Sequence, residues 1–293
     1  MSLDSGTRTW LVPNSDGTAK AGYCVAMSQA ESLERWRRDG WGARTRIGVL
    51  TPHADVGPES ELQAMSPDEV MIHSSRVPFA AMAAGGEMDP TIPLAPVRAF
   101  AEPPFVDDAA ELLAAAPLSA IGFGFTSSAY VIGAEGEALM VARLQERTGE
   151  IPVTATCAAA VRGLRALSVN RLMLISPPWF DAELDSLGAT YFHGQGFEVV
   201  RSGRVDLPSD QRQIDPADLY DWVRVRVPET ADAVFIGGNG FRCVGTIQAL
   251  EADLDRPVLS ANQALFWDLL RLSGSTAAVD GYGQLFAQVS TTH

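Results

Sequence analysis

Cysteine, histidine and long apolar runs are scarce in this 293-residue chain. The three cysteines, Cys24, Cys157 and Cys243, contain no CxxC pair, so the sequence predicts neither a disulfide framework nor a zinc site. The four histidines form no HxxxH pair, and we expect neither a metal nor another cofactor. Because no run of about 18 apolar residues is present, we expect no membrane span. The polar N-terminus does not resemble a signal peptide, so the cytoplasm is the expected compartment.

Basic residues are also few: 22 lysines and arginines stand against 36 aspartates and glutamates, a formal net charge of -14. This excess repels the phosphate backbone of nucleic acids and anionic membrane surfaces, so we expect neither as a partner. It does not exclude a small anionic ligand, because a binding site is formed by local dipoles rather than by the net charge. The 46% of hydrophobic residues is typical of a globular protein.

Short apolar runs alternate with helical patterns from Arg46 onwards. The runs at 47–50, 119–125 and 233–236 are examples of predicted strands, and each is followed by a polar loop and a segment that predicts a helix. Such alternation predicts parallel sheets with helices on both faces, and the chain shows two similar series of these units. The sequence therefore predicts an α/β fold in which a ligand lies at the carboxyl ends of the strands.

Three loops that follow predicted strands carry the residues best suited to bind an anion. These loops span 51–59, 125–130 and 237–242, and their backbone N–H groups and helix N-termini favour a carboxylate. The predicted substrate-binding residues are the hydroxyl, amide and glycine residues of the last two loops: Thr126, Ser127, Ser128, Gly238, Asn239 and Gly240. The alternative is that they are ordinary helix caps and turns. Phosphate fits less well, since neither loop has the lysine or the glycine set of a nucleotide-binding loop.

Six segments carry a resemblance to a known family. They occur in the order 47–59, 73–77, 125–128, 163–167, 257–262 and 281–286. In order and spacing they resemble the aspartate/glutamate racemase superfamily, and most closely its maleate isomerase and arylmalonate decarboxylase branch. The resemblance covers the chain from Arg46 to Phe286. Asp55 falls where maleate isomerases commonly have asparagine.

The resemblance implies two pseudo-symmetric Rossmann-like lobes with a cleft between them. Residues 46–155 and 262–293 would form the first lobe, residues 156–261 the second, and residues 1–45 an N-terminal extension. It also implies chemistry at the carbon α to a carboxylate. Racemases of this type use two cysteines to remove and return a proton, maleate isomerases add a cysteine to a double bond, and arylmalonate decarboxylases use one cysteine to protonate an enediolate.

Both of these cysteines are missing from the sequence. By the resemblance, the first falls on Phe125 and the second on Gly238, and neither residue can carry a proton. The predicted catalytic residues are therefore Asp55 as a base, Tyr130 as a donor to an enolate, and Cys243 as a displaced thiol beside a helix N-terminus. The alternatives are a turn aspartate, an aromatic residue on the cleft wall and a small buried hydrophobe.

The sequence thus favours an isomerase, racemase or decarboxylase-like enzyme that acts at the carbon α to the carboxylate of a small amino or dicarboxylic acid. It would do so without the usual cysteine pair. The alternative is a non-catalytic carboxylate-binding or accessory protein on the same scaffold. The tryptophans of residues 1–43 need an apolar surface to pack on, and a second copy of the chain is one candidate, so a homo-oligomer is among the expectations.

Overall fold

The computed structural model describes Thr9–Pro13, Ala19–Tyr23 and residues 39–291, the side chains being described for residues 39–287. The chain divides into two units, Met1–Gly42 and Ala43–His293. In the first unit, strand β1 (Thr9–Pro13) pairs with strand β2 (Ala19–Tyr23) in an antiparallel hairpin. A helix that the sequence predicts at 28–38 lies outside the described residues.

The first sheet of the second unit has four parallel strands in the order β4-β3-β5-β6. Its strands are β3 (Thr45–Pro52), β4 (Val70–Val77), β5 (Ala120–Phe123) and β6 (Val153–Ala155). The connecting helices are α1 (Gly57–Met65), α2 (Leu94–Ala99), α3 (Phe105–Ala114) and α4 (Thr126–Arg147), the last being interrupted at Gly133. Every residue of β5 and β6 is buried because helices cover both faces of the sheet.

The second sheet also has four parallel strands, in the order β10-β9-β7-β8. Its strands are β7 (Arg171–Ser176), β8 (Glu198–Arg204), β9 (Ala233–Ile236) and β10 (Val258–Ser260). The helices of this half are α5 (Thr156–Ala166), α6 (Ala182–Gly194), α7 (Pro216–Arg224), α8 (Ile247–Leu254) and α9 (Ala261–Leu272). Short 3₁₀ helices lie at Gln211–Gln213, Val244–Thr246 and Gln284–Thr291.

These two four-stranded parallel sheets with flanking helices confirm the predicted two-lobed α/β fold. Helix α9 leaves the end of β10 in the second sheet and packs against β5 and β6 of the first. Gly122 in β5 permits this approach, since a Cβ at that position would lie 2.8 Å from the Leu269 side chain. The predicted limits of the lobes, at 155/156 and 261/262, stay a prediction.

The three loops that are predicted to bind an anion follow the carboxyl ends of β3, β5 and β9. Each of these strands is parallel to its neighbours, so the loops emerge at one edge of each sheet. Among the helices in the described ranges, none is long and apolar enough to cross a membrane. The same ranges hold no group of three or more potential metal-ligating side chains.

Candidate functional site

A small enclosed cavity lies where the three loops meet. Its volume is about 20 Å³, which is enough for one water molecule. Most of its wall is apolar, formed by Phe79, Met82, Met88, Ile92, Phe125, Trp179 and Phe180 together with Pro52. The remaining polar wall consists of Asp55, Thr126, Ser127, Gly238, Asn239 and Gly240. The structure therefore brings six of the nine predicted site residues to one cavity.

Asp55 is the titratable side chain of this wall. It is 3% exposed, and its Oδ1 accepts a hydrogen bond of 2.8 Å from the Gly57 N–H. Burial raises the pKa of Asp55 to about 6, against the opposing effects of the Gly57 N–H and of Arg76. Arg76 donates to the Asp55 carbonyl oxygen and forms an ion pair with Glu59, so it anchors the loop. A carboxyl group with this pKa can carry a proton near neutral pH.

Thr126 and Asn239 connect the two lobes directly. The Thr126 N–H and hydroxyl both donate to Asn239 Oδ1, at 2.8 and 2.7 Å, and the Gly238 N–H donates to the Thr126 hydroxyl at 3.2 Å. These groups are predicted to hold a substrate carboxylate. In the structure the donors of Thr126 bind Asn239 Oδ1, and the Asn239 amide N–H groups bind Thr156 and Asn262, so both side chains already have partners and their role in substrate binding stays a prediction.

A buried polar network continues from Asn239 to Glu61 on α1. Asn239 Nδ2 donates to Asn262 Oδ1 at 2.8 Å, and Asn262 Nδ2 donates to the Asn239 carbonyl at 2.8 Å and to Glu61 Oε2 at 2.7 Å. Glu61 Oε1 accepts from the N–H groups of Cys243 and Val244, at 2.7 and 3.0 Å. Burial raises the pKa of Glu61 to about 7. The network thus fixes the loop after β9.

Sequence reasoning missed both Glu61 and Asn262. Glu61 lies within an amphipathic helix, where a single glutamate is usually exposed, and its burial follows from contacts with residues about 180 positions later. The sequence does contain a signal that could have identified Asn262. Like the other site residues, it stands at the start of a helix directly after a predicted strand.

The hydroxyls of Ser127 and Ser128 point to different places. Ser127 lines the cavity, and in the described part of the chain its hydroxyl forms no hydrogen bond. Ser128 donates instead to the Val97 carbonyl on α2 at 2.8 Å and does not line the cavity. Neighbouring residues of a helix point in different directions, so the structure does not bring Ser128 to the cavity, and its role in substrate binding stays a prediction.

Tyr130 and Cys243 do not line the cavity either, although the Tyr130 hydroxyl lies close to Gly237, 3.1 Å from the point where a Cβ on that residue would lie. The Tyr130 ring packs against Gly188 of α6, and its buried hydroxyl has no hydrogen-bond partner in the described ranges. Burial raises the pKa of Tyr130, and likewise that of the Cys243 thiol, well above the usual value. Cys243 lines a separate cavity of about 440 Å³ between α1 and the 240–245 loop. The structure does not bring either of these predicted catalytic groups to the polar wall.

The two positions that the resemblance assigns to cysteines have distinct surroundings. Phe125 packs its ring against Phe79 and Phe100, with centroids 4.9 and 4.2 Å apart. Gly238 has a φ of 91°, and a Cβ there would lie 2.8 Å from Pro177 Cγ. An ordinary side chain at position 238 would therefore be strained by both its backbone and its neighbour.

Comparisons with known proteins agree with this architecture. The family model for arylmalonate decarboxylase matches residues 104–286. The arylmalonate decarboxylase of Bordetella bronchiseptica is 33% identical over 166 residues, which is 55% of this chain and 68% of that protein.

Two solved structures share the fold. The maleate isomerase Iso of Pseudomonas putida superposes with a TM-score of 0.71 at 21% identity, over 83% of this chain and 98% of that chain. An unliganded arylmalonate decarboxylase superposes with a TM-score of 0.68 at 24% identity, over 83% and 99%. These findings confirm the resemblance, and the chain belongs to the arylmalonate decarboxylase family.

Proposed function

We propose that this protein is an enzyme that decarboxylates a small dicarboxylic acid at the carbon α to its carboxylates, without the usual cysteine pair. Asp55 would supply the proton. The observation that carries this proposal is that Asp55 is the one titratable side chain lining the cavity, with a pKa that burial raises to about 6. The relatives of this protein include an arylmalonate decarboxylase and a maleate isomerase, whose names state decarboxylation and isomerisation of carboxylates.

A single proton carrier favours decarboxylation over racemisation or isomerisation. Racemisation needs one group to remove a proton and a second to return one from the opposite face, whereas a decarboxylase needs only one acid. In the proposed step, the C–C bond to one carboxylate breaks and releases CO₂. The electron pair remains on the α-carbon, delocalised into the second carboxylate, until the Asp55 carboxyl donates its proton to that carbon. Asp55 then regains a proton from water.

The two walls of the cavity suit the two ends of such a substrate. The departing carboxylate would lie against the apolar wall, where the rings of Phe79 and Phe180 offer its charge no hydrogen bond. The retained carboxylate would lie at the polar wall, where the Ser127 hydroxyl is a free donor. A volume of about 20 Å³ cannot hold a dicarboxylate, so the apolar wall has to move outward when substrate enters.

The alternative, a carboxylate-binding protein without turnover, has one observation in its favour. The donors of Thr126 are already paired with Asn239 Oδ1, and those of Asn239 with Thr156 and Asn262, which leaves fewer groups to stabilise a developing negative charge. Such a protein would bind a ligand through Ser127 alone among these hydroxyl and amide groups, and would not need a proton on Asp55.

Incubation in D₂O with 2-substituted malonates, maleate and small amino acids separates the two functions. The proposed enzyme releases CO₂ from a malonate and leaves one deuterium on the α-carbon of the product, read by mass spectrometry and proton NMR. Deuterium exchange at the α-carbon without loss of CO₂ would contradict decarboxylation and would indicate racemisation as the reaction. Thermal stabilisation by a carboxylate with no turnover across the panel would contradict the proposal and support the binding protein.

A further inference from the structure

Gln211 presents a buried oxygen atom that has no partner. This residue begins the 3₁₀ helix Gln211–Gln213, and it is 8% exposed. In the described part of the chain its Oε1 accepts no hydrogen bond. A carbonyl oxygen that is removed from water and left unpaired is unfavourable, so something must satisfy it in the working protein.

The oxygen faces Asp55 across Gly240. A Cβ placed on Gly240 would lie 2.6 Å from Gln211 Oε1 and 2.9 Å from Asp55 Oδ2, so both atoms face the same point. The other carboxylate oxygen, Asp55 Oδ1, is already held by the Gly57 N–H. The Gln211 amide nitrogen is turned away, 3.3 Å from the point where a Cβ on Gly86 would lie. Two acceptor oxygens therefore approach the same side of Gly240, and neither accepts a hydrogen bond from a donor among the described residues.

We propose that Gln211 is a positioning residue whose Oε1 accepts a hydrogen bond from protonated Asp55 and so stabilises the acid form that decarboxylation requires. A proton on Asp55 Oδ2 gives each of the two facing oxygens a partner. This inference rests on the proposed function for its catalytic meaning, but not for the contact itself. Gln211 does not line the cavity, so it acts on the substrate only through Asp55.

Other charges also surround the Asp55 carboxyl and must be held constant in a test. They are Arg76 of β4, Glu59 and Glu61 of α1, and the exposed Asp210–Arg212 ion pair beside Gln211. Substitution of Gln211 by a neutral residue of equal length leaves all of them in place. A change in the titration of Asp55 then reports the amide oxygen alone.

Gln211→Met is this substitution, since methionine fills the same space without a strong acceptor. We expect the pKa of Asp55 to fall by about one pH unit, because the neutral acid loses its partner. Carbon-13 NMR of the aspartate carboxyl groups measures it, with Asp55→Asn assigning the resonance. If the protein is active, the pH at which kcat/KM declines on the alkaline side falls by the same amount. The matched control is Gln213→Met, on the same turn but exposed, and it leaves both profiles unchanged.

Gln211→Glu provides a second variant of the same shape that retains an acceptor. We expect it to raise the pKa of Asp55, because two carboxyl groups that face each other share one proton. An unchanged pKa in both variants would overturn the proposal, as would a rise in Gln211→Met, which would mean that the amide N–H faces Asp55. The NMR titration needs no turnover, so a protein that fails to decarboxylate any acid still decides whether Gln211 holds the proton.

Discussion

Asp55 and Glu61 are both buried carboxyl groups at the start of the first lobe, yet their surroundings differ. Glu61 accepts three hydrogen bonds, two from backbone N–H groups and one from Asn262, and both of its oxygens are used. Asp55 accepts one, from Gly57, and its second oxygen faces a carbonyl-type acceptor. Burial alone thus does not separate a structural carboxyl from a reactive one. The difference lies in how many hydrogen bonds hold each carboxyl group in place, three on Glu61 and one on Asp55, and in whether the group lines the cavity.

Replacement of each carboxyl by its amide should separate these roles most strongly. Asp55→Asn removes the proton carrier, and we expect kcat/KM for a 2-substituted malonate to fall by about 10²–10⁴-fold with the fold intact. Glu61→Gln leaves the proton carrier Asp55 in place. All three groups that bind the Glu61 carboxyl are donors, so the new amide N–H group would face one of them with no acceptor between them. We expect a loss of activity of less than about tenfold, with lower stability.

Steady-state kinetics and urea unfolding of the two variants measure this contrast, with Asp89→Asn as the control, because Asp89 is exposed and does not line the cavity. If Asp55→Asn retained full activity, another group would have to supply the proton. If Glu61→Gln lost as much activity as Asp55→Asn, the distinction between the two carboxyl groups would fail.

The polar network should respond to the loss of a single amide with a large drop in stability. Asn239→Ala leaves the Thr126 N–H and the Asn262 side chain without their partners. Because each unpaired buried group costs about 1–3 kcal/mol, we expect the free energy of unfolding to fall by about 3–4 kcal/mol. Asn170→Ala, at an exposed asparagine, is the matched control. A loss of less than about 1 kcal/mol from Asn239→Ala would show that water replaces these bonds.

Sequence reasoning brought the three loops together, as the structure does, because parallel strands end at one edge of a sheet, a rule that needs no side-chain detail. It could not tell which donors remain free. That depends on the distance between Thr126 and Asn239, residues of different lobes whose loops approach only when both sheets are built. Nor could it find that the Tyr130 ring packs on Gly188 of α6 rather than lining the cavity, since a rotation of one residue along a helix decides which way a side chain faces.

The pH dependence of stability should also distinguish the carboxyl groups. The folded-state pKa of Asp55 is raised from 3.8 to about 6 and that of Glu61 from 4.5 to about 7. A raised carboxyl pKa means that the folded state binds the proton more tightly. Its contribution to stability is therefore present below the unfolded-state pKa and is lost as pH rises through the folded-state pKa.

Asp55→Asn removes the Asp55 part of this dependence. Relative to the original protein, we expect the variant to gain about 2.4 kcal/mol in free energy of unfolding between about pH 4 and pH 7. Urea denaturation across this range measures the gain. A constant difference between the two proteins at all pH values would mean that Asp55 titrates as it does in the unfolded chain.

Gly238 offers the smallest expected effect and tests the loop to which the family resemblance assigns a second cysteine. Its φ of 91° and the nearness of Pro177 predict that Gly238→Ala lowers the free energy of unfolding by about 2 kcal/mol. Gly245→Ala is the matched control, because a Cβ there meets nothing within 4 Å and its φ is not positive. If Gly238→Ala were as stable as Gly245→Ala, the loop could accept a side chain. The family's second thiol could then be restored there by Gly238→Cys. If the alanine is costly, as we expect, the backbone itself excludes that thiol, and proton transfer in this protein has to come from the Asp55 side of the cavity.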